Sequence, residues 1–144
     1  MNPLLIVGLV TAGIYAFNKL QTAGTAGRLN YRIQKLDIDL QLLTCTIYVD
    51  IGIQNATSNE FVINSYSGTL YLNNQYLGTL SNFSATRIQA NSETPYRVAC
   101  MISTLAIPGQ VLSLIQNYSG INAKIAGTIN VDNTAVPLTL EYKA

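Results

Sequence analysis

Histidine is absent from this chain, and so is tryptophan. Without an imidazole, every serine or cysteine triad that relies on one and every histidine metal site is excluded. Charge is scarce too: charged residues make up 10% of the 144 and the formal net charge is +1, against roughly a quarter charged in an ordinary soluble domain. So thin a charge disfavours nucleic-acid binding, which needs a dense basic face. Apolar residues reach 49%, which disfavours disorder. Cysteine occurs only at Cys45 and Cys100, both on inward positions of predicted strands. They read either as two small buried hydrophobes or as a disulfide tying two strands, which needs α-carbons within about 7 Å. Their separation along the chain gives no metal-site spacing.

What the sequence does contain is alternation. From Leu43 to Asn59, L-L-T-C-T-I-Y-V-D-I-G-I-Q-N-A-T-S-N, one side of an extended chain carries Leu43, Cys45, Ile47, Val49, Ile51 and Ile53. The other side carries Thr44, Thr46, Tyr48, Asp50, Gly52 and Gln54. This is a strand with one face in a core. A slip of one residue would carry all its apolar side chains into water, so it sets the register of its neighbours.

The start of the chain has a different character. Residues 1 to 18 carry no charged side chain, and Pro3 to Phe17 is almost wholly apolar. Met1 to Leu20 as a helix spans roughly 30 Å, enough to cross a hydrocarbon core. Leu4, Leu5, Ile6, Val7, Leu9, Val10, Ile14 and Phe17 are the expected anchoring side chains. Gly8, Ala12 and Ala16 recur every four residues, the small-residue stripe that lets two helices approach closely. Three readings compete with a permanent anchor: a cleaved signal peptide, which normally opens with lysine or arginine; a helix buried among the subunits of an assembly; and a soluble core helix. Lys19, Arg28, Arg32 and Lys35 follow before the first acid, Asp37. They are the candidates for contact with lipid headgroups and place the folded domain on the cytoplasmic side, or they form a solvated strand face. Gln21 to Gly27, Q-T-A-G-T-A-G, reads as a tether, leaving residues 28 to 144 as one domain.

Within that domain Leu29, Tyr31 and Ile33 alternate, and Ile38, Leu40 and Leu42 take over after a shift at Gln34 to Asp37 that marks a bulge or bend. Strands follow at Phe61 to Tyr66 and at Gly68 to Leu72, the latter turning through Asn73-Asn74-Gln75 into Tyr76 to Leu80. A short strand is expected around Arg87 to Gln89, and another carries Tyr96, Val98, Cys100 and Ile102 on one face. After Pro108-Gly109 the period changes: Val111, Leu112, Leu114, Ile115 and Tyr118 fit one face of a short helix. Ala123 to Val131 and Val136 to Tyr142 close the chain as a hairpin through Asp132-Asn133-Thr134. Seven or eight short strands and one helix predict an antiparallel β-sandwich of the immunoglobulin or fibronectin-III kind, preceded by a transmembrane-type helix.

The order I-G-I-Q-N-A-T-S-N-E-F-V-I-N, then S-G-T-L-Y-L-N-N-Q-Y-L-G-T-L, then I-Q-A-N-S-E-T-P-Y, then G-T-I-N-V-D-N-T-A-V-P-L-T-L-E-Y resembles the late embryogenesis abundant type 2 domain, also called the water-stress and hypersensitive-response domain. The likeness runs from about Leu29 to Lys143, with Ala56 where that family usually has proline. Members with an N-terminal membrane helix occur in plants, in bacteria and in phages of the Bacteroidetes. The resemblance implies a fold and a non-catalytic domain that associates with membranes or partner proteins, and it implies no ligand.

Candidate chemistry is sparse. Asp37 and Asp39 share a strand face as paired acids do, but solvated edge charges are the commoner case. Asn55-Ala56-Thr57, Asn82-Phe83-Ser84 and Asn117-Tyr118-Ser119 match the glycosylation acceptor, in a chain rich enough in asparagine and serine to do so by chance. Tyr48, Tyr71 and Tyr76 fall on or near polar faces, where they suit a contact surface or simply face water. The expectation is a non-catalytic structural protein with no catalytic residue, metal or cofactor, held by its first helix in a membrane or among neighbouring subunits as a homo- or hetero-oligomer. A minor component of a virion's capsid or internal membrane is its specific form. A stress-protective or lipid-binding domain at a cell membrane is the alternative.

Overall fold

A computed structural model describes residues 29–117 and 120–143. The expected anchor (Leu4, Leu5, Ile6, Val7, Leu9, Val10, Ile14, Phe17), the small-residue stripe (Gly8, Ala12, Ala16), the tether, Lys19 and Arg28 lie outside these residues. Among the described residues no helix is long and apolar enough to cross a membrane.

The elements are β1 (Leu29–Leu40), β2 (Thr44–Asn55), β3 (Phe61–Leu72), β4 (Gln75–Asn82), β5 (Thr86–Ile88), β6 (Ser92–Ser103), a 3-10 turn (Thr104–Ala106), α1 (Gly109–Asn117), β7 (Asn122–Val131) and β8 (Thr134–Lys143). Every pairing is antiparallel, along the path β1-β2-β6-β4-β3-β7-β8 with β5 beside β3. The path has a weak point. β2 and β6 pair from Thr44↔Ser103 to Asn55↔Ser92, whereas β4 joins β6 through Ser81↔Ala99 alone. Two segments result, β1-β2-β6 and β4-β3-β7-β8. The sheet curls until its terminal strands, β1 and β8, approach each other.

The alternation sets what lies inside. Cys45, Ile47, Val49, Ile51 and Ile53 of β2 are fully buried, and they share one core with Ile63 and Leu70 of β3, Val98 of β6, Ile125 and Ile129 of β7, and Leu138 and Leu140 of β8. In β1 the register shifts between Ile33 and Lys35, so Leu36 rather than Lys35 continues the buried row. The predicted bulge is therefore at Gln34. α1 adds Val111 and Ile115 to the core close to β1.

Turn chemistry matches the backbone. Asn73 and Asn74 have φ of 50° and 67°, and Asp132 and Asn133 have 49° and 65°. Two consecutive left-handed residues are what a two-residue hairpin turn of matching twist requires, and Asn and Asp tolerate that conformation best after glycine. Pro137 lies in the terminal strand of the path, and Pro95 lies in β6 away from its one bridge to β4. Both positions suit a residue that has no N–H to donate.

Two expectations need correction. Leu42 and Leu43 do not continue the buried rows; they are 87% and 67% exposed, because β1 ends at Leu40 and the chain reverses before Thr44, with the Gln41 N–H donating to the Thr44 carbonyl (2.9 Å). The two runs Phe61 to Tyr66 and Gly68 to Leu72 are a single strand, with a register irregularity between Ile63 and Ser65. Of the two readings of Cys45 and Cys100, the structure realises the first: both are buried free thiols.

Candidate functional site

Two surface features stand out, and the antiparallel ladder fixes where each lies. Leu29 pairs with Asn55 at one end of β1 and Leu40 pairs with Cys45 at the other. The chain therefore enters at one pole, and the β1–β2 turn sits at the opposite pole, about 35–40 Å away for a strand of this length.

Between the poles, the outer face of β1-β2-β6 carries a row of mutually matched charges. Arg97 donates from Nε to Asp50 Oδ1 (2.7 Å) and from Nη2 to Asp37 Oδ2 (2.8 Å), and its guanidinium lies 4.7 Å from the centre of the Tyr48 ring. Hydrogen bonds from its guanidinium to Asp50 raise the Arg97 pKa, so it stays charged. Lys35 Nζ is 3.2 Å from Asp37 Oδ2. Nearer the entry pole Arg32 grips both oxygens of Glu93 (2.9 and 3.1 Å), and Gln34 donates to the same carboxylate (2.8 Å). Burial pushes Glu93 up, but the hydrogen bonds from Arg32 and Gln34 and the Arg32 charge together bring it below its usual value. Gly52 makes this cluster possible: a β-carbon there would meet Glu93 Oε2 at 2.5 Å and Gln34 at 2.6 Å. Arg32 and Lys35, candidates for headgroup contact, are thus placed in ion pairs within the domain. Asp37 is committed to Arg97 and Lys35, while Asp39 accepts from Gln41 Nε2 (3.3 Å), so the two acids do not form a pair.

The outer face of the other segment lacks such charges over its middle. Pairing aligns Thr79, Thr69, Ala126 and Thr139 in one row and Ser81, Ser67, Thr128 and Pro137 in the next. Towards the far pole this face ends in Tyr71 and Tyr76, edge to face at 6.0 Å, with Lys124 Nζ 5.5 Å from the centre of the Tyr71 ring.

The far pole itself is apolar. Leu42, Leu43 and Leu105 are 87%, 67% and 85% exposed, and Met101 is exposed on β6 beside them. The leucines are held together by backbone: Thr104 donates its N–H to the Leu43 carbonyl (3.1 Å) and its hydroxyl to the Gln41 carbonyl (2.8 Å). Burying each of these side chains would be worth about 1.5–3 kcal/mol. Sequence reading placed Leu42 and Leu43 inside. The signal that would have found them was the turn itself, since alternation through a reversal has no common face.

Two of the three glycosylation-like tripeptides have a structural use, and the third, at Asn117, runs outside the described residues. Asn55 is buried, its Oδ1 accepting from the Thr57 N–H (3.0 Å) and hydroxyl (2.7 Å) while its Nδ2 donates to the carbonyls of Asn59 (2.7 Å) and Gln89 (3.1 Å). Asn82 accepts from the Ser84 N–H (2.8 Å) and donates to the Arg97 carbonyl (2.7 Å). Asparagine two residues before an N–H that it caps is ordinary turn chemistry, which accounts for both patterns. Burial raises the thiol of Cys45, with the Asp39 charge adding to it, and pushes that of Cys100 up to about 11. Both are therefore neutral and unreactive at physiological pH.

No family model and no curated protein matches the chain. Solved structures do. A protein from Archaeoglobus fulgidus superposes with a TM-score of 0.53 at 13% identity, over 76% of this chain and 90% of its own. The solution structure of an Arabidopsis thaliana protein superposes with a TM-score of 0.54 at 11% identity, over 79% of each chain. A putative late embryogenesis abundant protein aligns over 96% of this chain and 82% of its own at 8% identity, with a TM-score of 0.40. At such low identity the first two likenesses show the fold alone.

Proposed function

We propose that this chain is a non-catalytic structural protein in which an uncharged N-terminal run fixes location and a β-domain presents a surface. The two sheet segments are read as the layers of an immunoglobulin- or fibronectin-III-like sandwich of the late embryogenesis abundant type 2 kind. The partners are membrane lipid or neighbouring structural subunits, in a homo- or hetero-oligomeric assembly, and a minor virion component is the specific form. In a membrane the chain is single-pass, with the folded domain on the cytoplasmic or particle-interior side.

The observation that carries this reading is a contrast. Eighteen residues without a charged side chain open the chain, and they lead to the end of a domain whose β1-β2-β6 face carries charges matched to one another. Arg97, Asp37, Asp50 and Glu93 are each occupied by a neighbour, and the buried polar side chain of Asn55 is spent on a turn. These groups hold the domain's surface and turns in shape.

Deleting Met1 to Leu20 tests it. The expected result is a folded domain, with β-type circular dichroism, that no longer sediments with membranes or particles. Continued co-sedimentation with the same partners would remove the anchor role.

A further inference from the structure

The leucine pole lies at the end of the domain away from the chain's entry, and that placement points to what covers it. Leu42, Leu43 and Leu105 are pinned side by side by the two hydrogen bonds from Thr104. Three exposed leucines on two turns that hydrogen-bond to each other form a standing apolar surface, the kind that marks an interaction site. The sequence offers one apolar stretch of matching character, Pro3 to Phe17.

Within one copy the two meet poorly. The linker from Asn18 to Arg28 is eleven residues, at most about 36–40 Å when drawn fully taut, and β1 alone is about that long. Reaching its own Leu42 would need a straight linker laid back along the whole domain, whereas reaching a neighbour's needs none. A lipid surface suits this pole less. β1 carries the carboxylate of Asp39 at this end, two residues before Gln41, where it repels anionic headgroups; of the cations, Arg32 is held nearer the entry end by Glu93 and Lys124 lies over the Tyr71 ring.

We infer that the leucine pole of one copy receives the Pro3–Phe17 segment of the next, so that copies join head to tail. This rests on the assembly form of the function proposed above. It names the receptor for the segment. A heterologous contact of this type closes into a ring or runs on as a filament.

Two versions of the full-length chain, one with Val7→Cys and one with Leu105→Cys, would be co-expressed with different tags and treated in whole cells with a membrane-permeable bismaleimide. Cys45 and Cys100 are buried and stay out of the reaction. The expected product is a mixed dimer carrying both tags, reduced at least fivefold when Leu42→Ser and Leu43→Ser are added to the Leu105→Cys partner. Four results would overturn the inference. They are no mixed dimer; a dominant product joining two Leu105→Cys chains, which would mean pole meets pole; a cross-link inside a single chain carrying both substitutions; and quenching of a dye on Leu105→Cys by a lipid-phase quencher. Each can occur while deletion of Met1 to Leu20 still releases the domain from its partners, so failure here is distinguishable from failure of the anchor role.

Discussion

The two segments of the sheet use glycine for opposite purposes. In β1-β2-β6, Gly52 opens space on the outer face, and flexible side chains, Glu93 and Gln34, lie across it. In β4-β3-β7-β8, Gly68 and Gly127 face each other across paired strands and let backbone approach backbone: a β-carbon on Gly127 would stand 2.1 Å from the Ser67 carbonyl oxygen and 2.5 Å from Gly68 Cα. Gly68 also leaves room for the Tyr66 hydroxyl, which would lie 2.9 Å from a β-carbon there and which donates to the Leu138 carbonyl (3.4 Å). A side-chain end can swing away, but main chain in the middle of a ladder cannot. One segment is therefore tolerant at its glycine and the other is not.

Gly127→Val should give the largest effect, a loss of about 3 kcal/mol or more, because overpacking here can be relieved only by moving strands. A urea midpoint close to wild type would show that the glycine pair is incidental. Next comes Asn55→Ala, which leaves the Thr57 N–H and the carbonyls of Asn59 and Gln89 without their partner inside the protein. A cost of about 2–3 kcal/mol by denaturant unfolding is expected, and a neutral result would mean that the turn at Asn55 is held by other contacts.

A pH series separates the core from the charged face. Burial raises Cys100 to about 11 and Tyr96 to about 12, and raises Tyr31 and Tyr66 further, from ordinary values of 9.0 for cysteine and 10.0 for tyrosine. The folded chain keeps protons that the unfolded chain would release. The stability they contribute is therefore whole below about pH 9 and is lost as pH rises through 9 to 12. Glu93 has the opposite sign. Its lowered value means that its contribution is present above the ordinary 4.5 and is lost as pH falls through its folded value. Unfolding midpoints at pH 7, 10.5 and 4 would check both directions, and Glu93→Gln should flatten only the acid side.

Gly52→Ala is the counterpart of Gly127→Val and should cost under about 1 kcal/mol, since it displaces an exposed ion pair of little net worth. A loss as large as that at Gly127 would erase the contrast between the segments. Smallest of all, Leu42→Ser should change the stability of the isolated chain by no more than about 0.5 kcal/mol, because the side chain touches little in its own domain.

Much of the fold is legible in the sequence. Strict alternation from Cys45 to Ile53 placed β2 in the core, and the paired asparagines at 73 and 74 and the Asp132-Asn133 pair marked both hairpin turns. The shift near Gln34 foretold the β1 bulge. What stayed hidden depends on partners distant in sequence. Arg97 finds Asp50 only because β2 and β6 pair in that register, and Asn55 reaches Gln89 through a turn. Leu42 and Leu43 misled for another reason: alternation says which side of a strand a residue is on, but it does not say where the strand stops. The expected anchor, small-residue stripe and tether fall outside the described residues.

The placement of β1 has a mechanical consequence. The chain enters at Leu29 and reverses at Leu42, so tension applied between those two points runs along the axis of β1. That load is carried by the covalent backbone of β1, already close to its full extension, and the hydrogen bonds that join it to β2 bear almost none of it. A pull between those two points therefore meets the bonds of the main chain before any hydrogen bond of the ladder is tested.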